Sequence, residues 1–425
     1  MFIRTNLRVC VLLCPMILSV QAEALTLAEA LQNTLENSPQ LAVYPHEQRA
    51  AEARALQAGL RPNPELEMEV ENVAGSGDYS GTQNAEYTLT LSQVIELGGK
   101  RQSRQELAQM DGENVQQSYA LARLEVLAEA TRRYIEVARA LTVQDWSKAF
   151  LQSTQRAQRL SQQRVDAGAA SAAEANQLTL AMKQAELTVQ RASSDVAAKR
   201  LRLAASWGGT QTGKGEIQHD LFRFPELPPL EQLRQRLLQS PHITRYLTEQ
   251  RLRAAQLRLA ESGATSDVNI GMGVRHWQEV DDNALVFSIS MPLAINDRKQ
   301  GDIAAARADM EKNNAEQSLA QIELQTLLQT LYIEAETSRS EALQLHKVSV
   351  PLAEKIVRDI ESGYSNGRYS ALEVITAQQN RQTLERDSIE AASSFHLLLL
   401  ELERLTGESM TGSVSVSKIP SEKKL

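Results

Sequence analysis

The chain has 425 residues and a formal charge of −8, with 23% charged but only 4% aromatic side chains. So few aromatic residues favour long helices that share alanine-rich seams over one large globular core. The acidic balance and the lack of a basic patch argue against a nucleic-acid partner. Beyond the first twenty residues, no stretch reaches about 18 consecutive apolar residues, which argues against membrane-spanning helices.

The first 22 residues have the pattern of a cleaved export signal. Basic residues at Arg4 and Arg8 precede an apolar run, and the run ends in the small-residue spacing of a signal peptidase site. Both cysteines of the chain, Cys10 and Cys14, lie within this segment. The exported chain is therefore expected to contain no cysteine, which fits a periplasmic route without disulfides. Lipidation of Cys14 is the alternative, and the bulky residue before it disfavours this.

The longest predicted element runs from Lys100 to Asp166, where about 67 residues contain one glycine and no proline. A helix of that length spans roughly 100 Å. Gly168 suits the left-handed position after a helix, and Ser171 can cap a second helix that returns antiparallel over about 172–207. The segment is therefore predicted to form one long helical hairpin.

The exported chain is a tandem duplication, so this hairpin is expected twice. Tyr134 and the two residues after it recur 198 positions later at Tyr332, and Gly168 recurs 199 positions later as Gly367. Each repeat has the order helix, strand, strand, long helix, tight turn, helix. The predicted units are a signal peptide (1–22), a first repeat (23–207), a linker (208–229), a second repeat (230–407) and a flexible C-terminal tail (408–425).

Four short segments alternate apolar and polar residues with a period of two, which predicts strands. In the first, Leu66, Met68 and Val70 alternate with glutamates; the others lie near 86–92, 268–275 and 285–291. Two soluble hairpins with one buried face each are one interpretation. The polar hairpin loops, at 74–84 and 276–284, and strands of about this length are also typical of an outer-membrane barrel.

Four strands cannot close a barrel, and an open edge is untenable in lipid. The barrel must then be shared between copies of the chain. Two copies give eight strands and a filled interior, whereas three give twelve strands and room for a lumen. The predicted fold is mainly α with a small β part: a homotrimer with a twelve-stranded β-barrel in outer-membrane lipid, continued by a twelve-helix α-barrel.

Strand alternation also predicts which side chains line the lumen. If the apolar residues face lipid, then Glu67, Glu69, Glu71 and Glu86 face the interior, and only Arg275 opposes them. Carboxylates in a confined pore attract cations and repel anions. The alternative is that these glutamates only keep the lumen wet, while selectivity is set at the narrower periplasmic end.

Four stretches of sequence carry a family resemblance: LSQVIELGGKRQ after the second strand, SISMPLAINDRKQG after the fourth, and the turns VDAGAAS and GYSNGRYS. Together with the duplication they resemble the TolC-like outer membrane efflux family over essentially the whole exported chain. IELGGKR most resembles the branch that serves heavy-metal exporters of the cobalt-zinc-cadmium type. The resemblance implies an exit duct in the outer membrane whose helices extend into the periplasm. It also implies docking onto a periplasmic adaptor and an inner-membrane pump of the resistance-nodulation-division type.

The resemblance also assigns roles at the hairpin tips, where the adaptor docks. The implied docking residues are Ala167, Gly168, Ser171, Glu174, Asn366, Gly367, Ser370, Leu372 and Glu373. Glu373 matches the first acidic residue of the family's periplasmic gate, whereas Thr376 stands where the second is expected. The alternative is that glycine and serine here only end and restart helices.

No enzyme is predicted, and neither a cofactor nor a metal site has support. Residues 208–214 have the glycine and lysine spacing of a phosphate loop, but Gly215 replaces the required Ser or Thr and prolines follow. The six histidines show no i, i+4 pair. The expected cargo is divalent heavy-metal cations. The alternatives are a drug or protein-secretion duct of the same fold, or a periplasmic coiled-coil scaffold without channel activity.

Overall fold

The computed structural model describes residues 25–210, 217 and 220–408. The predicted signal peptide, the Cys14 alternative and almost all of the predicted C-terminal tail lie outside the described residues. Within the described part, the helices of the first half are α1 (Leu27–Asn37), α2 (Tyr44–Ala58), α3 (Lys100–Asp166) and α4 (Ala172–Ala204). Those of the second half are α5 (Leu230–Gln239), α6 (Pro241–Ser262), α7 (Gln300–Gln344), α8 (Val350–Ser365) and α9 (Ala371–Thr406). The strands are β1 (Glu65–Glu71), β2 (Glu86–Ile95), β3 (Val268–Trp277) and β4 (Asp282–Ser290).

The four strands form one antiparallel sheet in the order β1-β2-β3-β4. The register sets Met68 opposite Leu89, and Leu89 opposite Val274, so the apolar residues share one face. That face is uncovered by the chain itself, with Phe287 71% and Ile289 76% exposed. The two edge strands, β1 and β4, have no neighbour on their outer side among the described residues, which leaves two open edges.

The second hairpin loop is shorter than the sequence predicts. The predicted loop 276–284 is wrong at both ends, because His276 pairs with Asn283 and Trp277 with Asp282. Polar side chains at the end of a strand are solvated and still allow backbone pairing with the next strand. Their polarity therefore does not mark where the strand ends. Only residues 278–281 turn, with Asp281 in a left-handed conformation at φ 56°.

Helix α3 is continuous over 67 residues and is the central member of the helical layer. It packs against α2 and α4 on one side and against α6 and α9 on the other. Beyond α6 and α9 lie α7 and α8. The layer therefore has two outer sides, one formed by α2 with α4 and the other by α7 with α8. Among the described residues, no helix is both long enough and apolar enough to cross a membrane.

The second long helix is interrupted, unlike α3. A π-helical turn at Leu345–Ser349 separates α7 from α8, and Pro351 follows at the start of α8. Proline has no N–H for the bond to the residue four before it, and its ring clashes with that carbonyl. A π turn also accommodates one extra residue in a helix. That residue explains why the repeat offset changes from 198 at Tyr332 to 199 at Gly367.

The largest cores lie midway along the helices. One cluster joins Leu233 and Leu237 of α5 to Leu328 of α7 and Leu402 of α9. Part of the predicted linker also packs into the bundle, since the Phe222 ring stacks on His346 with centroids 3.9 Å apart.

The first described residue is attached to this layer as well. Leu25 forms a parallel β-bridge with Ile217, and its carbonyl accepts a hydrogen bond from the Tyr134 hydroxyl at 3.1 Å. Ile217 and Tyr134 belong to one buried cluster with Leu203. The start of the described chain is therefore anchored to the middle of α3 and to the segment between the two halves.

Candidate functional site

The five charged residues predicted to line a lumen all lie on the polar face of the sheet. Glu67 is opposite Thr90, Glu69 is opposite Thr88, and Glu71 is opposite Glu86. Residues directly opposite in an antiparallel pair point to the same face. Arg275 joins this face because it is opposite Thr88. That the face lines a lumen stays a prediction.

Arg275 connects three strands on this face. Its Nε donates to Thr88 Oγ1 at 2.9 Å, its Nη1 donates to Glu86 Oε2 at 3.1 Å, and its Nη2 lies 3.2 Å from Glu71 Oε2. The other oxygen of Glu86 accepts from Asn72 Nδ2 at 2.9 Å. Two of the four predicted glutamates are therefore engaged within the sheet, which strand alternation alone does not reveal.

Glu67 and Glu69 are different, because both are exposed and neither forms an ion pair in the described part of the chain. Glu65 lies on the same face. Alternate residues of a strand are about 7 Å apart, so β1 presents a column of carboxylates along one edge. Ser92, Thr90 and Thr88 of β2 lie directly opposite these glutamates, and their side chains are small. The column therefore has no bulky side chain directly opposite it on the neighbouring strand.

The first hairpin tip turns at Gly168, whose φ of 72° is left-handed and favours glycine. Ala167 is the C-cap of α3. Ser171 is the N-cap of α4, and its hydroxyl accepts from the Glu174 backbone N–H at 3.3 Å. The four implied docking residues of this tip therefore lie at the connection between α3 and α4. Each of them has a local structural role or a local contact.

The second tip has the same geometry with a stronger cap. Gly367 has φ 73°, and Asn366 is the C-cap of α8. The Glu373 backbone N–H donates to Ser370 Oγ at 3.3 Å, while the Ser370 N–H donates to Glu373 Oε2 at 2.7 Å, which makes a reciprocal capping box. Leu372, in contrast, is 66% exposed and makes no such contact, so it is available to a partner.

The two predicted gate positions lie one turn apart at the start of α9. Glu373 is exposed, and its bonds from the Ser370 backbone N–H and hydroxyl lower its pKa below the usual value. The Thr376 hydroxyl donates to the Leu372 carbonyl at 2.8 Å within its own helix. Both polar groups therefore have local partners, and a gate role for either stays a prediction.

A contact between the two tips was missed by the sequence analysis. Arg164 of α3 donates to the Tyr364 carbonyl of α8, and its guanidinium carbon lies 4.4 Å from the centroid of the Tyr364 ring. Burial raises the pKa of the Tyr364 phenol, and the Glu174 carboxylate raises it further. Arg164 and Tyr364 are 200 positions apart, so no local sequence pattern connects them. This contact holds the second tip against the first.

A buried charged pair lies farther up the same seam. Glu385 of α9 accepts from the Arg381 guanidinium at 2.8 Å and from the Trp146 indole of α3. Burial raises the pKa of Glu385, although the Arg381 charge opposes that rise. Across the described ranges, no group of three or more His, Cys, Asp or Glu side chains is arranged to hold a metal ion.

Comparison with known proteins shows what this chain is similar to. The model of the outer membrane efflux protein family matches residues 30–209. Over 361 residues, or 84% of each chain, the sequence is 28% identical to the cobalt-zinc-cadmium resistance protein CzcC of Cupriavidus metallidurans. The predicted resemblance to the TolC-like outer membrane efflux family is therefore confirmed.

Two more proteins extend the likeness. The sequence is 26% identical to the nickel-cobalt-cadmium resistance protein NccC of Alcaligenes xylosoxydans xylosoxydans, over 68% of this chain and 65% of that one. The fold matches the crystal structure of the outer membrane protein VceC from Vibrio cholerae, with a TM-score of 0.73 and 19% identity. That match covers 90% of this chain and 96% of VceC.

The likeness confirms the predicted fold class, a mainly helical chain with a small four-stranded sheet and the fold of TolC-like channels. The matched relatives also confirm the predicted location in the outer membrane, with the helical part in the periplasm. The matches support the coarser function, an outer membrane efflux channel of tripartite systems that work as trimers with an adaptor and a pump.

Proposed function

We propose that this channel is the exit duct for divalent heavy-metal cations. Its polar sheet face lines the lumen, its hairpin tips dock the adaptor, and the pump is of the resistance-nodulation-division type. The observation that carries this proposal is the exposed carboxylate column of β1, in which Glu67 and Glu69 have no ion-pair partner among the described residues. A confined row of carboxylates concentrates cations and repels anions. The metal-resistance names of CzcC and NccC support the same cargo.

The open sides of the chain support a homotrimer. The outer edges of β1 and β4 can pair with each other between copies, which leaves no strand edge in lipid. The two sides of the helical layer can pair in the same way. Both carry exposed leucine or isoleucine side chains: Leu180 and Leu187 on α4, and Leu319 and Ile322 on α7. One rotation then closes the sheet and the helical layer together.

The decisive test is ion selectivity in a planar bilayer. Reversal potentials across a salt gradient should show a cation preference in the wild type, and Glu67→Gln with Glu69→Gln should reduce it severalfold. A matched control, Glu47→Gln with Glu52→Gln, removes the same charge from exposed positions of α2 and should leave the preference unchanged. A wild type without cation preference overturns the proposal. A preference that survives the double change but is lost with Glu373→Gln moves selectivity to the tips.

Cargo needs a separate measurement in cells. In a strain whose own duct gene is deleted, the wild type should restore resistance to zinc, cobalt or cadmium together with the matching adaptor and pump. The double glutamine variant should restore less of it. Restored resistance to cationic drugs without any effect on metals contradicts the metal proposal and favours the drug-duct alternative.

A further inference from the structure

We propose that Arg275 ends the carboxylate column at the outer mouth of the barrel and so controls how readily a cation leaves. This inference rests on the proposed function, because it requires the polar sheet face to line the lumen. Arg275 is the only basic residue on that face of the four strands. Its position along the column therefore determines where the negative potential weakens.

The direction of the strands identifies which end this is. Strand β2 leads from Ile95 into α3, so the Ile95 end of the sheet faces the helices and the Glu86 end faces away from them. Glu65 pairs with Ser92 near the helical end, whereas Arg275 pairs with Thr88 near the far end. A cation that arrives from the helices therefore passes the free carboxylates of β1 before it reaches the Arg275 guanidinium, and Asp282 lies one rung farther out on the same face.

The contacts hold the guanidinium in one place. It bonds Thr88, which is only 4% exposed, and it lies between carboxylates from two different strands. Glu86 is also held from its other side by Asn72, which has a left-handed φ of 58° just beyond β1. The cluster of Arg275, Glu71 and Glu86 therefore carries one net negative charge per copy instead of two.

This arrangement has a chemical reason. Glu71 and Glu86 are directly opposite each other, and like charges at such positions repel. Arg275 compensates that repulsion and lowers the carboxylate density at the exit. Transport needs sites that attract a cation strongly enough for entry and weakly enough for release. The free part of the column serves entry, and the neutralised part favours release.

Removing the positive charge should therefore strengthen cation binding at the mouth. In bilayers, we expect Arg275→Gln to raise the cation-to-anion permeability ratio at least about twofold. We also expect it to lower, severalfold, the Zn²⁺ concentration that half-blocks the potassium current, because zinc leaves more slowly. Glu71→Gln should shift both quantities in the opposite direction. If Arg275→Gln does not assemble, the result of Glu71→Gln tests the inference by itself.

A charge-restoring variant separates electrostatics from structure. Arg275→Gln combined with Glu86→Gln has the wild-type net charge but lacks the bonds of the guanidinium, so both measured quantities should return close to wild type. If this double variant behaves like Arg275→Gln alone, Arg275 acts by holding the sheet and the inference is overturned. The inference is also overturned if neither Arg275→Gln nor Glu71→Gln alters either quantity.

These outcomes are distinguishable from failure of the proposed function. A wild type that shows no cation preference contradicts the role of Glu67 and Glu69. The role of Arg275 still holds if Arg275→Gln then creates a preference for cations, and it fails if the variant remains unselective.

Discussion

The two helical hairpins derive from one duplicated sequence, but they differ in continuity. Helix α3 of the first is unbroken over 67 residues, whereas the second long helix consists of α7, the π turn at Leu345–Ser349 and α8. Their tips nevertheless turn in the same way, at Gly168 and Gly367. The comparison shows that the geometry of the tips is preserved, whereas the long helix that leads to the second tip is interrupted.

Side chains at equivalent positions of the two hairpins also differ in their contacts. Glu373 is in a reciprocal capping box, whereas Glu174 receives no such bond and lies near Tyr364. Glu385 is buried against α3, whereas Glu186, 199 positions earlier, pairs with Lys183 on the surface of α4. At Glu385 the second hairpin therefore carries a buried polar contact where the first hairpin is solvated.

The largest expected effect comes from deleting one residue. Removing Gln152, an exposed residue of α3, rotates everything after it by about 100° and should abolish trimer assembly. Removing Val348 from the π turn, together with Pro351→Ala, should leave a regular helix with its tip in phase, and the trimer should form. Cross-linking of outer membranes measures both. Equal loss of trimer in the two deletions contradicts the interpretation of the π turn as one absorbed residue.

The next effect tests whether the left-handed turns at the two tips are needed for export. Valine at a left-handed φ costs about 1–2 kcal/mol or more. Gly168→Val with Gly367→Val should therefore distort both turns and abolish metal resistance while the trimer persists. Ala169→Val, at an exposed neighbouring position with ordinary backbone, is the matched control and should retain resistance. Normal resistance in the double valine variant argues against docking through the tips.

A smaller effect is expected where the hairpins touch. Arg164→Gln removes the charged donor to the Tyr364 carbonyl, which should cost about 1.5–3 kcal/mol locally. Hydrogen exchange should then accelerate at 360–370 and change little at the first tip. Arg159→Gln, an exposed change on the same helix, is expected to have no effect. If both variants exchange alike, the contact does not hold the second tip.

The smallest effect is a pH dependence at Glu385. Burial raises its pKa above the ordinary 4.5, so the folded chain holds this proton more tightly than the unfolded chain. The stability that this proton contributes is present below pH 4.5 and is lost as the pH rises through the folded pKa. Melting in detergent should show that loss in the wild type but not in Glu385→Gln. Glu186→Gln, at the equivalent position of α4, should keep the wild-type slope.

Local sequence signals predicted much of this structure. The bounds of α3 follow from a run without proline, and the left-handed tips follow from Gly168 and Gly367. Strand alternation identified the polar face of the sheet. It could not identify the partners of Arg275, because these depend on the register between β1, β2 and β3.

The misses share a physical cause. The change of offset from 198 to 199 indicates an extra residue between Tyr332 and Gly367, but only Pro351 and the packing around it locate the π turn. The Arg164–Tyr364 contact joins two segments that only the folded bundle brings together. Periodicity reports which side of an element is buried, and it carries no information on which distant element covers it.

The bridge between Leu25 and Ile217 has a consequence for the order of folding. The chain leaves its export machinery from the N-terminus, so Leu25 arrives nearly 200 residues before its bridge partner. Closing so long a loop is entropically costly, and contacts across it form late. The layer around Tyr134 therefore cannot be completed until the segment between the two halves has been exported. Until then, the first hairpin must persist in the periplasm with part of its apolar surface uncovered, and it is expected to need protection from aggregation during that interval.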